Sequence, residues 1–381
     1  MNTTNKIFRN LFAIAAVLLI FSACSTNTST GAVTAEKETI SLGAILFLTN
    51  NEFISVAEAI QQGIDIGVAE INERGGLLGK ELRIIYEDDE FSVPKSVTAG
   101  QKILETDNVV AAITVFAPQA KAVGPLFERK KIPLLLVGDS NKEIEDVGRY
   151  TFSIGYSTEY SGKKMAQHIW NSGARTTAIL MNFDDWSQLI GASFKQEFTQ
   201  LGGSVVVEEF VDFANTDFRT TLLKARNADV IYAPLVAQQA VFLKQAREIG
   251  YTGLIAGGNS LTPDILQAAG TASEGIFLTT IPEYANSQSL ALKEKYLQKY
   301  GKEPELFVWT VTGYDGIQVL AHAIEVGQST NSEAITQALY ATKDFLGTSG
   351  VITMNELGSA PKKEKLYRVQ NGDFILIEGF E

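Results

Sequence analysis

From Ile40 onward, short apolar runs rich in β-branched residues alternate with longer segments whose apolar positions recur every three or four residues. In the first of these longer segments, residues 54–72, the apolar positions form one stripe that ends before Gly75 and Gly76. This spacing is typical of an amphipathic helix that stops at glycine. Because strands that alternate with such helices form parallel sheets, the pattern predicts an α/β fold with helices on both sheet faces.

The same pattern repeats along the chain and predicts the order of its elements. The first half predicts a helix that begins near Pro94 and strands at 40–48, 82–88, 109–115 and 132–137. The second half predicts strands at 176–181, 204–210, 230–233, 254–257 and 276–280, with helices at 188–201, 216–226 and 237–249. After residue 287 the sequence predicts helices at 288–300, 310–326 and 332–341, then strands at 351–354, 366–369 and 374–377.

The two halves are not separated by a low-complexity linker. This absence indicates that the chain crosses between two domains several times and forms a hinge. We therefore predict two Rossmann-like lobes joined by a multi-crossing hinge. Lobe one is predicted to comprise residues 39–155 plus 283–348, and lobe two residues 156–282 plus 349–381.

The longest apolar run precedes these elements. Lys6 and Arg9 flank the apolar residues 11–21, and small residues follow directly before Cys24. The run is shorter than the roughly 20 residues that a membrane-spanning helix needs, so residues 1–23 are predicted to be a secretory signal peptide. The segment resembles the bacterial lipobox, in which the cysteine is lipidated and becomes the mature N-terminus.

The lipobox resemblance departs at Phe21, where Leu is usual, so an ordinary cleaved signal is the alternative. Residues 24–38 begin with a polar tract and are predicted to be a flexible tether. Cys24 is the only cysteine of the chain. Its use as a lipid anchor would leave the folded part without a disulfide, a thiolate metal ligand or a catalytic thiol.

Composition restricts the function classes further. The formal net charge of −12 argues against nucleic acid as a partner. The two histidines, His168 and His322, lie in separate helical stretches and give little basis for a metal site. The chain also lacks a Gly-x-Ser-x-Gly nucleophile motif and a glycine-rich dinucleotide motif after the first strand. We expect neither enzymatic activity nor a cofactor or metal.

A set of short stretches, in a characteristic order and spacing, spans nearly the whole mature chain. They are residues 64–72 followed by 75–80, then 86–89, 216–218, 242–250, 272–276 and 314–316. They resemble the type I periplasmic binding proteins of the branched-chain amino acid (Leu/Ile/Val-binding) group, which are solute receptors of ABC importers. The resemblance implies an exported, lipid-anchored, monomeric protein that faces the periplasm or the outside.

The resemblance also implies a function. It predicts that two lobes close around a small amino acid, or a related carboxylate or amide, and deliver it to the permease subunits of an ABC importer. The alternative is a ligand-sensing subunit of the same fold that signals to a membrane receptor or kinase.

The ligand is expected at the carboxyl ends of the parallel strands, where ligand crevices of open α/β sheets lie. This rule selects loops 49–53, 116–119 and 138–141 in lobe one, and loops 184–186, 235–238 and 259–260 in lobe two. The candidate binding residues are Phe53, Phe116, Ala117, Asp139, Ser140, Trp186, Val236 and Asn259.

The resemblance assigns roles to some of these residues. Ser140, with the backbone amides of Asp139 and Ser140, would hold a ligand carboxylate, and Trp186 would lie over the ligand. Phe116 and Ala117 stand where similar proteins carry two hydroxyl residues, which reduces hydroxyl coordination.

Asn259 stands where the family usually has the acidic residue that pairs with a ligand ammonium. Another carboxylate, from Glu52, Asp139, Asp184 or Asp185, could supply that charge. The ligand is therefore left open between an α-amino acid and another small carboxylate or amide. Val56, where some relatives place an aromatic residue, indicates a pocket of different shape.

Overall fold

The computed structural model describes residues 38–105, 109–236, 238–282, 284 and 286–377. The predicted signal peptide, Cys24 and all of the predicted tether except Glu38 lie outside the described residues. Among the described residues, no helix combines the length and the hydropathy that crossing a bilayer requires.

The strands of the described part alternate with helices over most of the chain. In chain order the strands are β1 (Thr39–Leu46), β2 (Glu81–Asp88), β3 (Val109–Thr114), β4 (Leu134–Leu136), β5 (Asp139–Ser140), β6 (Thr151–Ser153), β7 (Tyr156–Ser157), β8 (Thr176–Asn182), β9 (Ser204–Val211), β10 (Val230–Tyr232), β11 (Leu254–Gly257), β12 (Phe277–Thr280), β13 (Phe345–Gly347), β14 (Gly350–Ile352), β15 (Lys365–Gln370) and β16 (Asp373–Leu376).

The helices are α1 (Ile54–Glu73), α2 (Val93–Glu105), α3 (Ala117–Lys130), α4 (Lys142–Glu145), α5 (Thr158–Asn171), α6 (Asp185–Gln200), α7 (Arg219–Ala225), α8 (Gln239–Glu248), α9 (Pro263–Ala269), α10 (Ser287–Tyr300), α11 (Phe307–Gly327) and α12 (Ser332–Tyr340), with a 3₁₀ turn at Gly270–Ser273. Helix α6 begins three residues before the predicted start because the Asp184 carboxylate caps it and accepts a hydrogen bond from the Ser187 amide. Helix α7 begins three residues after its predicted start.

Two sheets organise these elements into two lobes. The first is parallel, with strand order β2-β1-β3-β4-β6. The second has the order β16-β15-β12-β11-β10-β8-β9, and β15 and β16 are its antiparallel strands. Helices α1, α11 and α12 contribute residues to the core of the first sheet. The predicted α/β class with two Rossmann-like lobes is confirmed.

Helices α1 and α11 pack unusually closely through two glycines. A Cβ atom added at Gly63 would lie 1.9 Å from the Thr310 carbonyl oxygen, and one at Gly313 would lie 2.0 Å from the Ile60 carbonyl oxygen. No side chain fits at either distance, so both positions require glycine for this close helix contact. The contact matters for the site because both helices begin at the cleft described below.

The chain crosses between the lobes three times within the described part, after β6, after β12 and before β15. The first and third crossings run side by side: the Lys362 amide donates to the Gly155 carbonyl, and the Ser157 amide donates to the Lys362 carbonyl. The predicted multi-crossing hinge is thus present.

One predicted lobe boundary requires correction. Lobe one was expected to end at residue 348, yet β14 pairs with β13, and Ile352, Met354 and Ala360 lie in the first core. The third crossing therefore occupies residues 361–364. The apolar positions of 351–354 predicted a strand but carried no information about which of the two cores would bury it.

Candidate functional site

A cleft of about 1580 Å³ lies between the lobes. It is lined by residues of lobe one, of lobe two and of the third crossing, so both lobes are within reach of a molecule that binds in it. The volume exceeds the 300–1,000 Å³ typical of small-molecule pockets, which leaves room for an organic solute together with water. The predicted residues that line the cleft are Phe53, Phe116, Ala117, Asp139, Trp186, Val236 and Asn259. That these residues contact ligand stays a prediction.

Aromatic side chains form the lobe-one wall of the cleft. Phe116, directly before α3, stacks on Phe47 with ring centroids 5.7 Å apart and meets Trp309 of α11 edge-on at 5.8 Å. Phe91 completes the group, 5.0 Å from Phe53 and 5.9 Å from Phe116. We call these five residues the aromatic wall. It offers ring faces and edges to an apolar ligand body.

The amide at the beginning of α3 is already engaged by the protein itself. The Asp139 Oδ1 atom accepts a hydrogen bond from the Ala117 amide at 2.9 Å. Burial raises the pKa of the Asp139 carboxyl to about 7, and the hydrogen bond from Ala117 opposes that rise. Helix N-termini are common anion sites, and here an internal carboxylate occupies this one.

Ser140 is the one predicted residue that does not line the cleft. Its side chain is buried, and its Oγ lies 2.8 Å from Ser153 Oγ, which donates in turn to Ser359 Oγ at 3.0 Å. The hydroxyl therefore belongs to an interior chain of serines that ties the first and third crossings together. Its assignment to a ligand carboxylate stays a prediction.

The lobe-two side of the cleft is built around the beginning of α6. Asp184 Oδ1 accepts from the Ser187 amide at 2.9 Å, while Oδ2 has no hydrogen-bond partner among the described residues. Burial raises the pKa of Asp184. Trp186 packs against Gly258, where an added Cβ would lie 2.9 Å from the indole ring. Gly258 therefore sets the position of the ring at the cleft.

An ion pair connects the lobes at the cleft. Lys121 of α3 contacts Asp185 of α6 at 3.0 Å and Glu143 of α4 at 2.6 Å. Asp185 and Glu143 are more than half exposed, and exposed pairs contribute about 0.2–1 kcal/mol. The pair can thus guide the approach of the lobes without holding them shut.

The structure adds a site residue that the sequence prediction missed, Glu364 on the third crossing. The Asn259 Nδ2 atom donates to Glu364 Oε1 at 2.5 Å. Glu364 lines the cleft and is only 5% exposed, and among the described residues no cationic side chain pairs with it. Burial raises the pKa of this carboxyl, opposed in part by hydrogen bonds from Ser161, Thr279 and Asn259. The carboxylate of Glu364 therefore contacts the side-chain amide of Asn259 at the cleft.

A second buried charge on the same crossing belongs to the hinge. Lys362 Nζ lies 3.8 Å from Asp315 Oδ2, and Asp315 accepts hydrogen bonds from the Thr348 and Ser349 amides. These contacts fix the third crossing to α11 and to the β13–β14 turn. Within the described part of the chain, no cluster of His, Cys, Asp and Glu could hold a metal ion.

Comparison with known proteins agrees with this architecture. The family model described as periplasmic binding protein matches residues 39–373. The Leu/Ile/Val-binding protein homolog 2 of Brucella abortus (strain 2308) is 24% identical over 311 residues, which cover 79% of this chain and 82% of the relative.

Solved structures share the fold. The leucine binding protein LivK of Thermotoga maritima superposes with a TM-score of 0.78 at 27% identity, covering 89% of this chain and 97% of that one. A solute binding protein of an ABC transporter from R. palustris, in complex with 4-hydroxybenzoate, has a TM-score of 0.78 at 21% identity and covers 90% and 96% of the two chains.

Proposed function

Since the chain belongs to the periplasmic binding protein family, we propose that it is the extracytoplasmic solute-binding component of an ABC importer. The resemblance to the branched-chain amino acid group is confirmed by the family match and by the relatives. The proposal is that the protein captures a small organic solute and presents it to the permease.

The cleft between the lobes is the observation that carries this proposal. Phe116 and Asp139 line it from lobe one, Trp186 and Asn259 from lobe two, and Glu364 from the hinge. A solute that contacts both lobes stabilises the closed arrangement by its differential affinity for that state. Three crossings, of which the first and third run side by side, provide the hinge about which two packed lobes can close.

The membrane anchor forms a separate part of the proposal. We propose that Cys24 is lipidated after cleavage of residues 1–23, so that the tether holds the protein at the membrane surface, facing the periplasm or the outside. A Cys24→Ala variant tests this idea in cells. It should lose incorporation of labelled fatty acid and leave the membrane fraction; unchanged labelling would contradict lipidation at this residue.

Solute binding is tested by thermal melting of the full chain against a panel of amino acids, amides, amines, and aliphatic and aromatic acids. A ligand at 100 times its dissociation constant stabilises the folded protein by about 2.7 kcal/mol. We expect at least one class of solute to raise the melting temperature in a concentration-dependent manner. If no class does so, the proposed function is wrong.

A matched pair of tryptophan variants connects binding to the cleft. Trp186→Ala should weaken binding of the ligand that emerges from the panel. Trp170→Ala removes a tryptophan that packs on Phe198 and Arg175 in lobe two and does not line the cleft. It should lower stability but leave the dissociation constant unchanged. Equal loss of affinity in both variants would place the binding site elsewhere.

A further inference from the structure

Acidic side chains outnumber basic ones around the cleft. Among the described residues that line it, eight have carboxyl groups and two are lysines. Both lysines already have partners: Lys121 contacts Glu143 and Asp185, and Lys293 lies over the Phe307 ring at 4.8 Å. A cleft lined by one sign of charge concentrates ligands of the opposite sign. Its field therefore favours cations and repels free carboxylates.

The local contacts agree with this field. At the beginning of α3, the Asp139 carboxylate already accepts the Ala117 amide hydrogen. The Ser140 hydroxyl is directed to Ser153 in the interior. A ligand carboxylate would thus meet a carboxylate at Asp139 and would find neither this amide nor this hydroxyl free.

Glu364 offers a specific position for a cation. It is 5% exposed and lines the cleft, and its neighbours Asn259, Ser161 and Thr279 offer uncharged hydrogen-bond donors but no positive charge. A buried charge without a partner is costly. An ammonium group at this carboxylate would supply the compensating charge together with a charge-assisted hydrogen bond.

The remaining part of the cleft suits an apolar body. The aromatic wall presents Phe53, Phe91, Phe116 and Trp309 to the cavity. Aromatic ring faces also attract ammonium groups, so this wall is compatible with a cationic ligand as well as with its apolar portion.

We propose that the cleft binds an organic cation: a primary amine on an aliphatic or aromatic body, without a free carboxylate, whose ammonium group pairs with Glu364. This inference rests on the proposed function and specifies its ligand class. It distinguishes the protein from a receptor for zwitterionic amino acids or aromatic acids.

The test uses isothermal titration calorimetry of the full chain with two matched ligand series. The aromatic series is phenethylamine, phenylalaninamide, phenylalanine and 3-phenylpropanoate; the aliphatic series is isoamylamine, leucinamide, leucine and 4-methylpentanoate. In at least one series, the amine and the amide should bind at least about tenfold more tightly than the amino acid. The carboxylate should show no binding.

Two variants place the effect at Glu364. Glu364→Gln keeps the size of the side chain and an oxygen for Asn259, and it should weaken amine binding by about tenfold or more. Glu303→Gln removes the same charge from an exposed residue in the loop before α11, outside the cleft lining, and should leave amine binding unchanged. Equal effects of the two variants would overturn the assignment to Glu364.

The ligand series decide the question even if a variant fails to fold. Tighter binding of the amino acids or carboxylates than of the amines overturns this inference but supports the proposed function. Absence of binding by all eight compounds also overturns the inference, and the wider solute panel then decides the proposed function on its own.

Discussion

Replacing Gly63 by alanine perturbs the close contact of α1 with α11. The new Cβ would lie 1.9 Å from the Thr310 carbonyl oxygen, about 1.5 Å short of the 3.4 Å at which ordinary contact begins. The clashing atom belongs to the backbone and cannot rotate away, so the helices must separate. Overpacking of this kind costs typically 1–3 kcal/mol and occasionally more, while the better helix propensity of alanine returns about 1 kcal/mol. Because a 1.9 Å approach to a backbone atom places this case at the upper end of that range, about 3 kcal/mol, we expect a net loss of about 2 kcal/mol.

Urea unfolding followed by circular dichroism measures this loss. Gly100→Ala is the matched control: this glycine also lies within a helix, but its added Cβ would meet Val123 and Phe127 at 3.4–3.5 Å, which is ordinary contact. The control should gain up to about 1 kcal/mol. Because α1 and α11 both begin at the cleft, Gly63→Ala should also weaken ligand binding. Equal stability of the two variants would refute the packing argument.

Three further expectations concern the cleft. Amine affinity should rise with pH between about 5 and about 8. Burial raises the pKa of Glu364 and brings that of Asp139 to about 7, and each carboxylate formed by deprotonation attracts the ammonium group. Calorimetry that shows constant affinity across this pH range would contradict the expectation. Without ligand, Glu364→Gln should be more stable than the parent in urea at neutral pH, a gain that shrinks as the pH approaches about 4.3. Gly258→Ala should displace the Trp186 ring and so change both the tryptophan fluorescence and the ligand affinity. If the emission spectrum and the dissociation constant are both unchanged, this expectation is wrong.

The pH sign of the stability effect follows from linkage. A carboxyl group whose pKa is higher in the folded state than in the unfolded chain holds its proton more tightly when folded. The folded protein is therefore favoured at low pH, and stability falls as the pH rises from the unfolded value through the folded value. Glutamine cannot lose a proton, so the contribution of residue 364 to stability does not fall with rising pH in the Glu364→Gln variant.

Most of the longer strands were predictable because burial on both sheet faces requires continuous apolar runs, whereas the short strands β5, β6, β7 and β13 were not predicted. The bounds predicted for β11 coincide with those observed, and those of β2 and β3 differ by one residue. Helix α3 was not predicted. Its sequence contains Pro118, Gly124 and Pro125, which normally argue against a helix. Pro118 is tolerated in the first turn, and Gly124 is required because an added Cβ would lie 2.4 Å from Val147. These reasons depend on tertiary packing that no local pattern contains.

The loops of the site were predictable from one topological rule, since carboxyl ends of parallel strands meet at one edge. The orientation of individual side chains was not. Ser140 was expected at the ligand, but its hydroxyl contacts Ser153. That contact depends on where β6 and the third crossing lie, which is known only once the hinge is assembled.

Glu364 was missed because it lies in the charged run of residues 362–365, and such a run usually indicates a solvated surface. The segment is extended, however, so side chains alternate in direction: Glu364 is buried and the Lys362 side chain is only 11% exposed, whereas Lys363 is exposed and Lys365 is partly exposed. The alternation of side-chain direction along an extended charged run is therefore the signal that could have indicated a buried Glu364. A carboxyl group that costs stability by being buried without a counter-charge is explained better by binding than by folding, since perturbed carboxyl groups concentrate at functional sites. In this protein that reasoning leads to the third crossing, where pairing with a ligand cation would compensate the buried charge and at the same time stabilise the closed cleft.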